Sequence, residues 1–388
     1  MEYELTYPNK KKKEDILKKT EATELHLLKH GGNTSWYSDW ENLLIYGNNL
    51  NILKALTKNS TVDGNVKLVY IDPPFSTNQT FRGSDSRTAT ISSSDDDELA
   101  YDDLLIGADF LEFIRERLIF LREVLSDEGS IYLHIDCKRG HYLKILMDEV
   151  FGEENFRNDI TRIKCSCKNF DRKGYGNVKD MVLFYTKTAN YTWNDSREDY
   201  TDSDIAELFS NIDPKNGKRY TTTPLHAPGE TKNGNTGKEW KGLKPPTGRH
   251  WRYPPEELDK LEAQGLIEWS KNGNPRKIIY AEDAIKKKKK RQDIWKFKDP
   301  FYPKYPTEKN CDLLKTIIEA SSNPDDLVLD CFSGSGTTLA AAEKTGRRWI
   351  GIDQSERAIK ATITKLNAIK DCKKYALYSS TKEQPINF

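Results

Sequence analysis

The stretch DDLVLDCFSGSGTTLAAAEKTGRRWIGID, Asp325 to Asp353, decides the fold. It reads as a buried strand over Leu327–Asp330, a turn of small residues, a helix from about Thr337, and a second strand over Arg348–Asp353. Strand, tight turn, helix and strand in that order make one unit of a parallel sheet. Gly334, Ser335 and Gly336 let the backbone pass close to a ligand, and the helix start offers it unpaired N–H groups. Asp353 ends the second strand, where the acidic residue of a nucleotide-binding unit accepts hydrogen bonds from a ribose diol. The turn has only Gly-x-Gly, and neither the full GxGxxG pattern nor a following Gly-Lys is present. A ligand with a carboxylate and a nucleoside suits it better than a pyrophosphate, and S-adenosylmethionine has both.

Far upstream, VKLVYIDPPFSTNQTF (Val66–Phe81) runs as an apolar strand that ends in Asp72, Pro73, Pro74 and Phe75. Asp-Pro on its own is a turn signal. The second reading is a catalytic loop, and the tetrapeptide alone leaves both open. Around the upstream stretch the α/β texture recurs. NLLIYGNNLNILKAL (Asn42–Leu56) reads as a strand, a turn at Gly47-Asn48 and a helix. DFLEFIRERLIFLREVL (Asp109–Leu125) has the i, i+3, i+4, i+7 spacing of an amphipathic helix that Gly129 stops. SIYLHID (Ser130–Asp136) is a further strand, and HYLKILMDEVFG a helix with Gly152 just past its end. The expected architecture is α/β, a Rossmann-like, doubly wound and mostly parallel sheet. Its expected parts are an arm with a small helix over 1–40, a first catalytic half over 41–156, an inserted irregular domain over 157–300, and a second catalytic half over 301–388.

The inserted segment is rich in Gly, Asn, Lys, Pro and Trp, and only MVLFYTK (Met181–Lys187) looks like a sheet strand. Net charge over the 388 residues is +1, but 157–300 holds about 30 Lys and Arg against about 21 Asp and Glu. Basic charge gathered in one segment is the sequence mark of a phosphate-binding surface. Its tryptophans read first as a small local core. No apolar run approaches the roughly 20 residues that span a bilayer, and the first residues lack an apolar signal core. The six cysteines form no CxxC pair, which points to reduced thiols, a cytoplasmic setting and no metal.

Three motifs together resemble the DNA amino-methyltransferases, which modify the exocyclic amine of adenine or cytosine. DPPF (Asp72–Phe75) is similar to the family's catalytic (D/N/S)PP(Y/F). DCFSGSGTT (Asp330–Thr338) is similar to its cofactor loop DPFxGxGTT, and YPTEKN (Tyr305–Asn310) to the HPTQKP that precedes the cofactor strand. Catalytic motif, variable basic domain, then cofactor motif is the order of the bacterial β class, a circular permutation of the usual methyltransferase arrangement. GSIYLHID, HYLKILMDEVFGEENFRN, GRHWRYPPEELDKLEAQGLIEWSKNGNPRKIIY and QDIW resemble that class as well, so the likeness runs from Asn42 to about Lys365.

The resemblance implies S-adenosylmethionine as cofactor, held by Asn48, Asp72, Thr307, Lys309, Asp330, Phe332, Ser333, Gly334, Gly336, Thr337, Thr338 and Asp353. It implies Asp72, Pro73, Pro74 and Phe75 as the catalytic group, with 157–300 as the target-recognition domain. Duplex DNA is the implied partner, with a flipped adenine as target because Asp leads the first motif. A homodimer, as in many β-class relatives, and a cognate restriction endonuclease are the further partners it suggests. Asn48 stands where the family commonly has an acidic residue, Cys331 replaces a proline, and Glu308 and Asn310 replace Gln and Pro. The alternatives are N4-cytosine or RNA methylation, a catalytically silent recognition subunit, and a protein glutamine methyltransferase. The last normally carries its cofactor motif first.

Overall fold

The computed structural model describes residues 4–32, 40–74, 79–83, 98–103, 107–166, 173–231, 233–300 and 308–381. Phe75 and Thr307 lie outside them. The chain divides into two compact units, one of residues 1–195 with 292–388 and one of Ser196–Arg291.

The first unit is built on a ten-stranded sheet. In chain order its strands are β1 (His26–Gly31), β2 (Asn42–Tyr46), β3 (Val66–Ile71), β4 (Leu125–Ile135) and β5 (Phe156–Ile163). Then come β6 (Lys179–Thr186), β7 (Ile294–Trp295), β8 (Leu327–Asp330), β9 (Arg348–Asp353) and β10 (Tyr375–Ser379). They lie in the order β1-β10-β2-β9-β8-β3-β4-β6-β5-β7. The run from β10 to β4 is parallel throughout. Antiparallel pairing is confined to β1 on β10 and to β6 between β4 and β5.

The helices of this unit are α1 (Lys13–Lys19), α2 (Asn49–Leu56), α3 (Ala108–Val124), α4 (Gly140–Phe151), α5 (Cys311–Ser321), α6 (Thr337–Lys344) and α7 (Glu356–Asn367). Both faces of the sheet are covered, which is why its strands read as continuous apolar runs rather than alternating ones. Val69 and Ile71 of β3 pack with Leu53 of α2, Ile114 and Leu118 of α3, and Leu143 of α4. The residues between them, Leu68 and Tyr70, face the other layer with Leu314 and Ile317 of α5, Leu339 of α6 and Ile359 of α7. Side chains alternate across a strand, so one six-residue segment serves two cores. Helices entering from the early chain cover one face and those from the late chain the other. The change falls between β3 and β8, which are parallel neighbours although some 260 residues apart. In an open α/β sheet, ligands bind outside the carboxyl ends of the strands at such a switch point.

Four details differ from the sequence reading. α3 ends at Val124 and β4 starts at once, so Gly129 lies inside the strand rather than stopping the helix. The amino-terminal segment adds an edge strand, β1, beyond its small helix. Within the polar loop after Asp72, Gln79–Gly83 and Glu98–Asp103 pair as an antiparallel hairpin. The second unit is narrower than 157–300, because β5, β6 and β7 belong to the large sheet.

That second unit has a core of its own. Leu225, Trp240, Trp251, Leu258 and Leu261 are its buried residues. Trp240 donates from its indole to Asp259 (2.8 Å) and Trp251 to the Lys238 carbonyl (3.0 Å), so both rings are packed and satisfied. Trp269, half exposed, stacks on Trp240 with 5.7 Å between ring centres. A four-stranded antiparallel sheet runs Asn211–Ile212, Arg219–Pro224, Pro275–Tyr280, Ile267–Trp269. A separate hairpin pairs His226–Pro228 with Arg249–Trp251. Among the described residues no helix is long and apolar enough to cross a membrane, and no group of His, Cys, Asp and Glu is placed to hold a metal ion.

Candidate active site

The carboxyl ends of β3, β8, β9 and β2 place four segments side by side. β3 delivers Asp72, Pro73 and Pro74, with Pro73 buried and the others half-buried. Asp72 Oδ2 pairs with the Lys309 ammonium at 2.6 Å. Asp72 Oδ1 is buried and has no hydrogen-bond partner. An unmet buried acceptor costs roughly 1–3 kcal/mol, more when charged. The site therefore holds one carboxylate oxygen fixed and the other open.

β8 delivers Asp330 and the small-residue loop. Burial pushes the Asp330 carboxyl up to about 7, against hydrogen bonds from the Thr338 hydroxyl and the Phe332 N–H that favour its charged form. The Phe332 ring lies tilted on Phe113 of α3. Gly334 and Gly336 both have positive φ, +49° and +72°, a backbone that side chains rarely adopt. A Cβ on Gly336 would also meet Thr362 at 2.6 Å. Gly336 caps α6, and Thr337 and Thr338 are buried in its first turn. Ser333 Oγ is buried without a partner.

β9 ends in Asp353, whose Oδ2 accepts from the Gly334 N–H and Oδ1 from the Ser355 N–H, both at 2.8 Å. Burial lifts its pKa to about 6 even though these N–H groups favour the carboxylate. Each oxygen has a second lone pair to offer. β2 pairs with β9 so that Tyr46 faces Asp353, and the Gly47 N–H donates to the Asp353 carbonyl (2.9 Å). Asn48 follows as the exposed N-cap of α2, its Oδ1 accepting from the Leu50 N–H (2.9 Å). Its amide group keeps donors for a ligand.

The structure thus brings Asn48, Asp72, Pro73, Pro74, Lys309, Asp330, Phe332, Ser333, Gly334, Gly336, Thr337, Thr338 and Asp353 to one end of one sheet. Lys309, assigned to the cofactor by its motif, has its ammonium on the Asp72 carboxylate. Two supports were not foreseen. Asn49 donates to the Cys331 carbonyl (2.8 Å) and accepts from the buried Arg117 guanidinium (2.6 Å), which burial pushes down to about 10. The signal was a charged residue within the apolar stripe of α3. Lys365 of α7 donates to Glu308 Oε1 (2.6 Å), Ser335 Oγ (3.0 Å) and Thr337 Oγ1 (2.7 Å), joining the segment that carries Lys309 to the glycine loop. Nothing in the sequence marked that lysine.

The pattern of the N6/N4 amino-methyltransferases, described as DNA methylase, matches residues 66–365. The chain belongs to this DNA methylase family. It is 42% identical over 374 residues to the type II methyltransferase M.EcaI of Enterobacter cloacae, covering 94% of this chain and 77% of that one. It is 29% identical over 337 residues to the StyLTI Mod subunit of a type III restriction-modification enzyme from Salmonella typhimurium. There the match covers 77% of this chain and 49% of the relative, so the chain spans about half the length of that protein. Among solved structures, that of the M1.HpyAVI–SAM complex matches 84% of this chain and all of its own, at 16% identity and a TM-score of 0.42. The methyltransferase family takes its methyl group from S-adenosylmethionine. The donor set fits that molecule. Two glycines open the backbone, the partnerless Ser333 hydroxyl is a polar group to satisfy, and Asp353 has lone pairs for a diol.

Proposed function

We propose that this DNA methyltransferase methylates the exocyclic N6 amine of an adenine flipped out of duplex DNA, with Asp72 as the residue that activates the amine. The open, buried Oδ1 of Asp72 beside the cofactor-loop strand carries this reading. The lone pair of an adenine amine is delocalised into the ring, so the nitrogen is a poor nucleophile. Asp72 Oδ1 accepts one N–H of the amine and the Pro73 carbonyl the other. Two acceptors on one nitrogen draw it toward tetrahedral geometry and free the lone pair. S-adenosylmethionine supplies the electrophilic methyl of its sulfonium. As the nitrogen gains positive charge, the carboxylate already bonded to its N–H stabilises it and stands where the departing proton goes.

Lys309 fixes the other carboxylate oxygen, so the acceptor direction is set before DNA arrives. Pro73 and Pro74 have fixed φ and no N–H, so they hold the carbonyl rigidly and add no competing donor. Asp353 would hold the ribose, Asn48 the adenine edge of the cofactor, and the loop from Asp330 to Thr338 the rest. Ser196–Arg291 would be the DNA-recognition unit. Extruding a base costs a few kcal/mol, and contacts to that unit would offset it. The Asp that leads the first motif favours adenine over cytosine.

The test is methylation of mixed-sequence duplex DNA by the purified chain, followed by nucleoside digestion and mass spectrometry. N6-methyladenine is the expected product. N4-methylcytosine in its place would overturn the choice of base, and no methylated nucleoside on any duplex would point to a silent recognition subunit.

A further inference from the structure

In the second unit, three arginines gather around one histidine, and among the described residues none of the three makes an ion pair, although Glu230 accepts from the Gly248 N–H (3.2 Å) beside Arg249. The hairpin register sets Pro228 against Arg249 and His226 against Trp251. Arg249, exposed, reaches back so that Nη1 lies 3.2 Å from His226 Nδ1. A guanidinium can only donate, so His226 Nδ1 is the acceptor and the ring is neutral, with its proton on Nε2. Burial, then the charges of Arg249, Arg252 and Arg276, holds the His226 pKa below its ordinary value, in keeping with that tautomer. Arg252, also exposed, donates from Nε to the Pro224 carbonyl (3.0 Å). Arg276 sits opposite Pro224 in the neighbouring sheet and donates to the Thr222 hydroxyl and carbonyl, both at 2.8 Å.

All three guanidiniums are therefore buttressed by neutral acceptors. Glu268, the cross-strand neighbour of Arg276, accepts from the Tyr220 hydroxyl at 2.6 Å and keeps its charge, so Arg276 has a carboxylate beside it, whereas Arg249 and Arg252 make no ion pair among the described residues. Elsewhere in the unit much of the positive charge is already neutralised. Lys218 pairs with Glu282, Lys260 with Glu257, Lys288 with Asp199, Lys289 with Glu198 and Asp204, and Arg291 with Glu198. Arg249 and Arg252, exposed and without an ion pair of their own, leave positive charge for an anion from outside to offset. A pre-oriented guanidinium fork matches the two free oxygens of a phosphodiester.

We propose that the hairpin His226–Pro228/Arg249–Trp251, with Arg252 and Arg276 beside it, is the surface by which this unit holds duplex DNA through its phosphates. The proposal rests on the DNA methyltransferase reading and names the residues that would carry DNA affinity. Arg249 and Arg252, exposed and lightly tied, make the contacts. Arg276, bound on both sides to Thr222, adds field.

The experiment measures binding of the full chain to a nonspecific 20-base-pair duplex over a range of potassium chloride. Each neutralised phosphate contributes roughly 0.9 to the slope of log affinity against log salt. Arg249→Gln with Arg252→Gln is expected to lower that slope by about 1.8 and the low-salt affinity at least tenfold. Affinity for S-adenosylmethionine should stay at the wild-type value. Arg249→Lys with Arg252→Lys, which keeps the charge, should keep most of the slope. Lys260→Gln, at a cation already paired, should match wild type. A double glutamine variant with wild-type slope and affinity overturns the proposal, and if wild type still methylates DNA the activity stands without it. A wild-type chain that binds no duplex overturns both.

Discussion

At the scale of single residues, the proposed roles of Asp72 and Asp353 set two carboxylates to opposite tasks. Asp72 was legible from the sequence as the end of an apolar strand followed by two prolines. What the strand could not say is that its two oxygens differ, because Lys309 comes from a segment more than 200 residues away. The proposed role of Asp353 calls for an ionised acceptor, yet burial lifts its pKa to about 6. Protonation removes acceptor capacity for a ribose diol. Affinity for S-adenosylmethionine is therefore expected to be full above pH 7 and to weaken as pH falls through 6. Isothermal titration from pH 5 to 8 checks this, and Asp353→Asn should show a weaker but flatter profile. The stability consequence has its own sign. A carboxyl raised from its usual value near 4 favours the folded state below that value, and this contribution fades as pH rises through 6.

At the scale of elements, the cofactor loop is held from three sides: Asp353 under the Gly334 N–H, Thr362 on the Gly334 carbonyl, and Lys365 on Ser335 and Thr337. The strand–loop–helix was readable because its glycines and flanking apolar runs are local signals. Lys365 was not, because its role depends on how α7 packs against α6. Lys365→Met leaves two hydroxyls and the Glu308 carboxylate without their shared donor. It should raise KM for S-adenosylmethionine about tenfold, roughly one lost charged hydrogen bond, with kcat changed less. Arg, whose planar fork does not reproduce a three-way point charge, should not restore it. Steady-state kinetics at saturating DNA decides, and an unchanged KM would show that the lysine is incidental to the loop. Gly336→Ala is expected to fail more broadly. Its φ of +72° and the 2.6 Å approach to Thr362 act together, and it should lower the melting temperature as well as cofactor affinity.

At the scale of the whole molecule, the chain visits the strand that ends at Asp72 early and the strand that ends at the glycine loop late, and the sheet sets them side by side. The doubly wound class followed from alternating strands and helices, and the permuted order from the sequence of motifs. The extent of the insertion did not follow. β5 and β6 lie in the polar, irregular texture after Phe156 but belong to the large sheet, β6 buried and β5 largely half-buried or exposed. β6 overlaps MVLFYTK, the stretch that reads as a strand, whereas β5 has no such apolar run and is revealed only by its pairing with β6. The tryptophans read as local core, and Trp240 and Trp251 are that core, whereas Trp295 is buried against the large sheet and Trp193 is half exposed.

The claim on which the rest depends is that the open oxygen of Asp72 activates the target amine. It is tested by transfer of labelled methyl to duplex DNA by wild type and by Asp72→Ala, with S-adenosylmethionine binding measured on both. The account predicts a fall in kcat of at least a thousandfold with cofactor affinity within a few-fold of wild type, since Asp353 and the glycine loop remain. Near-native turnover by Asp72→Ala, with the cofactor bound as well as before, would contradict it.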